Sequence, residues 1–289
     1  MPNKPIEIIG AGFGWGAGFK EAQFGPSHLK DTSLKGQPWR TILSPKIIYE
    51  SGKTLSYDEQ LQQVVDFNKQ LSKEVSSVSE NFPIIVGGDH SIAIGTWSGV
   101  VDAHQAQGKF GLIWVDAHMD SHTAQTTPSH HIHGMPLATL LGYGESTLVN
   151  LTLTGAKLNP ADVVLIGIRS FESQEAQLLK NLNVKIYFID EVNQRGFENV
   201  FEEAVNIVSE NTKGFGVSID IDAFDPSIAP GTGVPEPNGI KDVPGVQRAL
   251  KKVRKNDKLK AIEIAEFDPT RDQDEKTAML VEKLISALL

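Results

Sequence analysis

Asp116, His118 and Asp120 alternate through WVDAHMDSH (114–122), at the end of an apolar run. In an extended segment the three side chains project to one face, because the side-chain period of a strand is two. Two carboxylates and an imidazole on one buried face are costly unless something positive sits between them. A metal ion meets that need. The pattern recurs in SIDID (218–222), where Asp220 and Asp222 alternate, and GGDHS (87–91) adds His90. Alone, an Asp-x-Asp after a strand is commonly a turn or a surface pair, and a single histidine is commonly a satisfied core residue. Two such strand ends in one chain point instead to a shared ligand. If they converge, Asp116, Asp120, Asp220 and Asp222 bring four negative charges, which two divalent cations neutralise and one does not. Oxygen-dominated ligation with one imidazole, from His90 or His118, per ion suits manganese, whereas zinc prefers more nitrogen or sulfur. Two such ions roughly 3.5–4 Å apart share a water and lower its pKa into the neutral range. The expected nucleophile is hydroxide.

The elements that must position these groups are short apolar, β-branched runs: IEIIG (6–10), KIIYE (46–50), FPIIVGG (82–88), FGLIWVD (110–116), DVVLIGIRS (162–170), KIYFIDE (185–191), GFGVSIDID (214–222) and AIEIAEFD (261–268). Runs apolar on both faces read as strands of a parallel sheet covered by helices on each side. Helical patterns lie at 57–78, 198–211 and 246–255, with a last amphipathic helix at 275–289. This alternation, without a break in composition, predicts one α/β domain over residues 1–289. The chemistry-bearing residues follow the third, fourth, seventh and eighth strands, where Glu263 and Glu266 also stand. Ligand sites of parallel sheets form beyond the carboxyl ends of the strands, so the groups should meet there. The polar stretch TTPSHHIHG (126–134) reads as a functional loop.

Composition narrows the function. A net charge of −9, from 27 basic and 36 acidic residues, argues against nucleic-acid or anionic-membrane partners. KKVRK (251–255) reads as a solvated helix face. The chain has no cysteine, which excludes disulfides, thiolate catalysis and cysteine-ligated zinc. No secretory leader and no 18-residue apolar run is visible, so a cytoplasmic protein is expected.

GGDHS (87–91), DAHMD (116–120) and SIDIDAFDPSIAPGTGVP (218–235) resemble, in order, the three signature blocks of the ureohydrolase superfamily, which includes arginase, agmatinase and formimidoylglutamase. GWGAGFKEAQFGP (14–26), IRSFESQE (168–175) and AEFDP (265–269) extend the likeness. The resemblance implies a three-layer α/β/α sandwich around a mostly parallel eight-stranded sheet, two Mn2+ per subunit, and a homo-oligomer, trimer or hexamer. It implies that His90, Asp116, Asp120 and Asp220 hold one ion and Asp116, His118, Asp220 and Asp222 the other, with Asp116 and Asp220 bridging. Asp120 would also orient the hydroxide, Glu266 would pair with the substrate's guanidinium, and His133 would pass a proton to the leaving amine.

The implied reaction is hydrolysis of a guanidino C–N bond to urea and an amine. For the far end of the substrate, Thr127 and Ser129 resemble the hydroxyl donors to the α-carboxylate of arginine, and Glu172 and Glu175 the acids near its α-ammonium. L-Arginine, giving L-ornithine, is the expected substrate; agmatine, another guanidino acid or formimidoylglutamate are the alternatives. His122 and His131 stand where arginases usually have Asn, Glu172 where they have a shorter Asp, and Val234 where they have Thr. His131 offers a second donor to a carboxylate. Histone-deacetylase-like relatives share the fold but use one zinc, which the four carboxylates argue against.

Overall fold

The structure, a computed structural model, describes residues 4–47, 54–78, 80–105 and 108–289. Its centre is one sheet of eight strands: β1 (Ile6–Ala11), β2 (Trp39–Leu43), β3 (Phe82–Gly87), β4 (Phe110–Val115), β5 (Val163–Ile168), β6 (Lys185–Phe188), β7 (Gly214–Asp220) and β8 (Leu259–Ala265). The strands lie in the order β2-β1-β3-β8-β7-β4-β5-β6. Every pairing is parallel. β3, β4, β5 and β7 are buried along their whole length, which is why they read as largely apolar runs.

Helices in chain order are α1 (Gly25–Asp31), α2 (Tyr57–Ser76), α3 (Ala93–His104), α4 (Pro136–Leu140), α5 (Ser146–Val149), α6 (Ser173–Asn181), α7 (Ile189–Arg195), α8 (Phe197–Glu210), α9 (Val243–Val253) and α10 (Lys276–Ser286). Alternate strand residues feed two cores. On one face Ile8, Ile84, Ile113 and Val217 pack with Leu29 of α1, Phe201 of α8, Leu250 of α9 and Leu284 of α10. On the other, Ile9, Ile85, Leu112 and Trp114 meet Leu71 of α2, Trp97 of α3 and Leu179 of α6. The result is the expected three-layer sandwich. α2 starts where the sequence supplies Ser56 and Glu59: the Ser56 hydroxyl accepts from the Glu59 amide, and the Glu59 carboxylate accepts from the Ser56 amide at 2.8 Å.

One strand lies elsewhere than expected. The second strand is Trp39–Leu43 rather than KIIYE; Lys46 and Ile47 form a bend, and residues 48–50 lie outside the described residues. β2 is an edge strand, only partly buried, so Arg40 and Thr41 interrupt its apolar pattern without cost. The expected strand at 185–191 is also shorter, because α7 begins at Ile189.

Candidate metal centre

The six metal-ligand candidates meet beyond the carboxyl ends of four adjacent strands, β3, β8, β7 and β4. The Nδ1 atom of His90 lies 3.2 Å from Asp116 Oδ2, 3.2 Å from Asp120 Oδ2 and 2.9 Å from Asp220 Oδ2. The Nδ1 atom of His118 lies 3.0 Å from Asp222 Oδ2 and 3.6 Å from Asp116 Oδ1. The two oxygens of Asp116 thus face different histidines. Two candidate metal groups follow, His90–Asp116–Asp220 and Asp116–His118–Asp222.

Do these residues fit a metal? The buried His90 Nδ1 makes no well-formed hydrogen bond, although three carboxylates surround it. Its other nitrogen sits 2.9 Å from Ser218 Oγ, and Ser218 donates to Glu263 at 2.8 Å. With its one proton committed to Glu263, Ser218 accepts from His90 Nε2–H and leaves Nδ1 as a lone pair. An ion about 2.1 Å from each octahedral ligand sets neighbouring ligands about 3.0 Å apart, and the spacings around His90 match that. The residues fit a divalent cation.

Electrostatics agree. In the absence of a cation, burial and the nearby charges of Asp222 and Asp116 push the Asp220 carboxyl well above its usual value. Burial, then Asp116, raises Asp120. Burial is also the main cause that brings Asp222 to about 6, against the pull of His118. His90 and His118, although burial opposes their charge, are held well above the ordinary imidazole by these carboxylates. Protons gather where positive charge is missing.

Local folding sets each ligand. Asp220 caps the short turn after β7 and accepts from the Asp222 amide at 2.8 Å. Asp116 accepts from the His118 amide at 2.6 Å and from Trp114 Nε1 at 2.8 Å; the Trp114 ring stacks on His90 with centroids 4.2 Å apart. Asp120 and Glu266 adopt left-handed backbone, with φ of 47° and 67°, a conformation that costs a non-glycine residue about 1 kcal/mol or more.

Beside the metal groups, His133 Nδ1 pairs with Glu266 Oε1 at 2.9 Å. The same oxygen accepts from the His90 amide at 2.8 Å. Burial alone would lower the His133 imidazole, but Glu266 outweighs it and holds the group at about 9. Burial likewise opposes ionised Glu266, yet His133 keeps that carboxyl below its usual value. A cavity of about 250 Å³ opens over this floor; its walls include His118, Asp120, His122, Ser129, His131, His133, Glu172, Glu175, Asp220, Asp222 and Glu266. Thr127 is not in that lining: its hydroxyl lies 3.4 Å from Ser129 Oγ and accepts from the His130 amide at 3.1 Å.

Several positioning residues escaped the sequence reading. Asp89 accepts from the Gly16 amide at 2.8 Å, and Gly16 in turn accepts from the His133 amide at 3.0 Å, so one buried carboxylate anchors the loop that holds His133. Arg169 donates to the backbone carbonyls of Asp222 and Glu236 at 2.6 and 2.8 Å. Glu236 comes within 3.6 Å of His118 Nε2. Ser218 did carry a signal, since it alternates with Asp220 and Asp222; the Asp89 and Arg169 contacts are tertiary and have none. Gly88 and Gly18 are needed for close approach: a Cβ at Gly88 would fall 1.7 Å from the Phe13 carbonyl oxygen, and one at Gly18 would fall 2.5 Å from the His131 ring.

With this geometry in view, the comparisons with known proteins are direct. Residues 4–289 match the model of the arginase family. The arginase of Bacillus caldovelox is 34% identical, covering 99% of this chain and 98% of its own. A crystal structure of arginase from Bacillus subtilis superposes with a TM-score of 0.86 at 34% identity, over 99% of this chain and 98% of that one. A structure of Entamoeba histolytica arginase in complex with L-ornithine gives a TM-score of 0.88 at 30% identity, over 100% of this chain and 99% of that one. Together with this family match, the α/β sandwich and its paired His–carboxylate floor mark a metal-dependent hydrolase of guanidino C–N bonds. The chain belongs to the arginase family.

Proposed function

We propose that this chain hydrolyses L-arginine to urea and L-ornithine, using two Mn2+ ions held by His90, Asp116, His118, Asp120, Asp220 and Asp222. The observation that carries this reading is that His118, Asp120, Asp220 and Asp222 line one cavity with the Glu266–His133 pair, and that His90 and Asp116 lie against these ligands. The ions, when bound, supply the charge that makes water nucleophilic at neutral pH. Asp120 orients the attacking water by accepting its hydrogen bond. Glu266 has Oε1 committed to His90 and His133 and turns its other oxygen to the guanidinium. His133, whose imidazole the neighbouring Glu266 carboxylate holds in favour of its protonated form, gives its proton to the leaving amine nitrogen as the C–N bond breaks. Ser129 and His131 serve the α-carboxylate. Glu175 and Glu172, with His122 beside them, serve the α-ammonium, and Thr127 acts by holding Ser129 in place.

The wider assignment is a single-domain, cytoplasmic homo-oligomer, trimer or hexamer. Phe171 and Phe188, 44% and 43% exposed and 5.7 Å apart beside the β6 edge, support self-association. Among the described residues no helix is long and apolar enough to cross a membrane.

The test is kcat/KM for urea release from arginine and agmatine. Unpaired hydrogen bonds to a charged group cost about 1.5–3 kcal/mol each, so arginine should lead agmatine by about 10²–10⁴-fold. Ser129→Ala should narrow that lead by slowing arginine. A preference for agmatine, or inactivity on both, would refute the arginine assignment.

A further inference from the structure

The end of the sheet opposite the metal centre holds another cavity, of about 360 Å³, beside the first residues of β3 and β8. Among the described residues its lining carries four basic groups, Lys4, His104, Arg254 and Lys260, and one acid, Asp257. In a chain of net charge −9 it is a positive hollow on an acidic molecule. We propose that this cavity binds a small phosphate monoester, whose phosphate meets Arg254 and Lys260 and whose organic body lies on the apolar wall of Val75, Val100 and Leu259.

Arg254 carries the first argument. It belongs to KKVRK (251–255), in which Lys251, Lys252 and Lys255 are exposed, as expected of a solvated face. Arg254 instead turns inward at the end of α9. Its guanidinium stacks over the Phe82 ring at 4.2 Å, and Nη2 donates to the Lys4 carbonyl at 2.7 Å. Nε is buried and has no hydrogen-bond partner, and a buried charged donor without an acceptor is costly. Lys260 donates to the Asp257 carbonyl at 2.7 Å. Among the described residues neither Arg254 nor Lys260 forms an ion pair with a carboxylate. His104 feels the same imbalance: burial, then the charges of Lys260 and Lys4, lower its imidazole to about 4, so it stays neutral near pH 7.

Charge and size select the ligand. With His104 neutral, three positive charges against one negative leave a surplus of two in the lining. A phosphate monoester carries about −1.5 to −2 at pH 7, against −1 for a carboxylate. The guanidinium fork also matches two phosphate oxygens. A volume of about 360 Å³ falls in the range of small-molecule pockets, about 300–1,000 Å³, and the apolar wall suits a body attached to the phosphate.

Phenyl phosphate, inorganic phosphate and benzoate, titrated into the protein by calorimetry, separate these features. Phenyl phosphate should bind most tightly. Inorganic phosphate should be about tenfold or more weaker for want of the ring, and benzoate about tenfold or more weaker for want of the second charge. Phosphate also has access to the metal centre, so position is read separately. Saturating phenyl phosphate should raise the His104 imidazole from about 4, followed through its carbon-13 chemical shift. K260Q should weaken phenyl phosphate about tenfold or more, whereas K260R should retain it. The His104 reading needs no substitution, so it stands even where K260Q misfolds. Benzoate binding as tightly as phenyl phosphate, a His104 titration that phenyl phosphate leaves unmoved, or equal affinity in K260Q would overturn the proposal.

Discussion

At Asp120 two costs meet in one residue. Its backbone is left-handed, and its carboxyl is raised by burial and by Asp116. Asparagine keeps the shape, loses the charge and tolerates this backbone better than most residues. Asp120→Asn should therefore raise the melting temperature of the metal-free protein by about 2 °C or more. Metal affinity should fall by at least about 10²-fold, because a charged ligand goes where even outer partners cost up to that much. Calorimetry on metal-free and metal-titrated samples reads both; a drop in the metal-free melting temperature would show that Asp120 stabilises the fold. Much of this floor was legible because DAHMD and SIDID gather acids where strands end, although the expected extended alternation is not what aims them: β4 stops at Val115, and Asp222 sits in the short turn Ile221–Ala223 after β7. The left-handed turns at Asp120 and Glu266 were not, since neither residue type marks such a conformation.

The strands act as rulers. The register pairs Ser218 with Glu263 across β7 and β8, which carries the His90–Ser218–Glu263 chain through the sheet. Ser218→Ala breaks that chain without replacing a ligand. Metal affinity should fall by about 10–100-fold, with the far-ultraviolet circular dichroism unchanged, and the loss should be larger than in Ser218→Thr, which keeps the hydroxyl. Equal affinity in all three proteins would remove Ser218 from the support of His90. Buried strands were read correctly in the sequence because burial on both faces leaves mostly apolar residues, the exceptions being Ser218, Asp220 and Glu263 near the site. β2 was misplaced for the converse reason: an edge strand has a face that water satisfies, and Arg40 and Thr41 occupy it. The cavity-wall contacts were the least legible, since His122 and Glu172 meet only through the fold.

Over the whole molecule, metal and proton compete for the same buried charge. In the metal-free protein Asp222 titrates at about 6, and Asp220, His90 and His118 are also raised. Each binds protons better folded than unfolded, so their stabilisation is complete at low pH and fades as pH rises through the folded-state values. Asp222 alone contributes about 3 kcal/mol to that swing. Bound cations replace the protons and remove the dependence. The melting temperature of the metal-loaded protein should exceed that of the metal-free protein by a margin that widens by at least about 5 °C between pH 5 and pH 8. A constant margin, measured by scanning calorimetry, would mean that these groups are not the ones the metal engages.

The position of β8 bears on how the molecule is made. It is the last strand in the chain, yet it lies between β3 and β7. Until Leu259–Ala265 leaves the ribosome, the pairings available are β2-β1-β3 on one side and β7-β4-β5-β6 on the other. His90 follows the first half-sheet, and Asp116, His118, Asp120, Asp220 and Asp222 follow the second. The nascent chain thus carries its ligands on two separate pieces with facing open edges, and the final strand joins them. The Asp116–His118–Asp222 group lies wholly on the second piece, whereas the His90–Asp116–Asp220 group is assembled only when β8 joins the two, and the interval before that is when the open edges of β3 and β7 most need a chaperone.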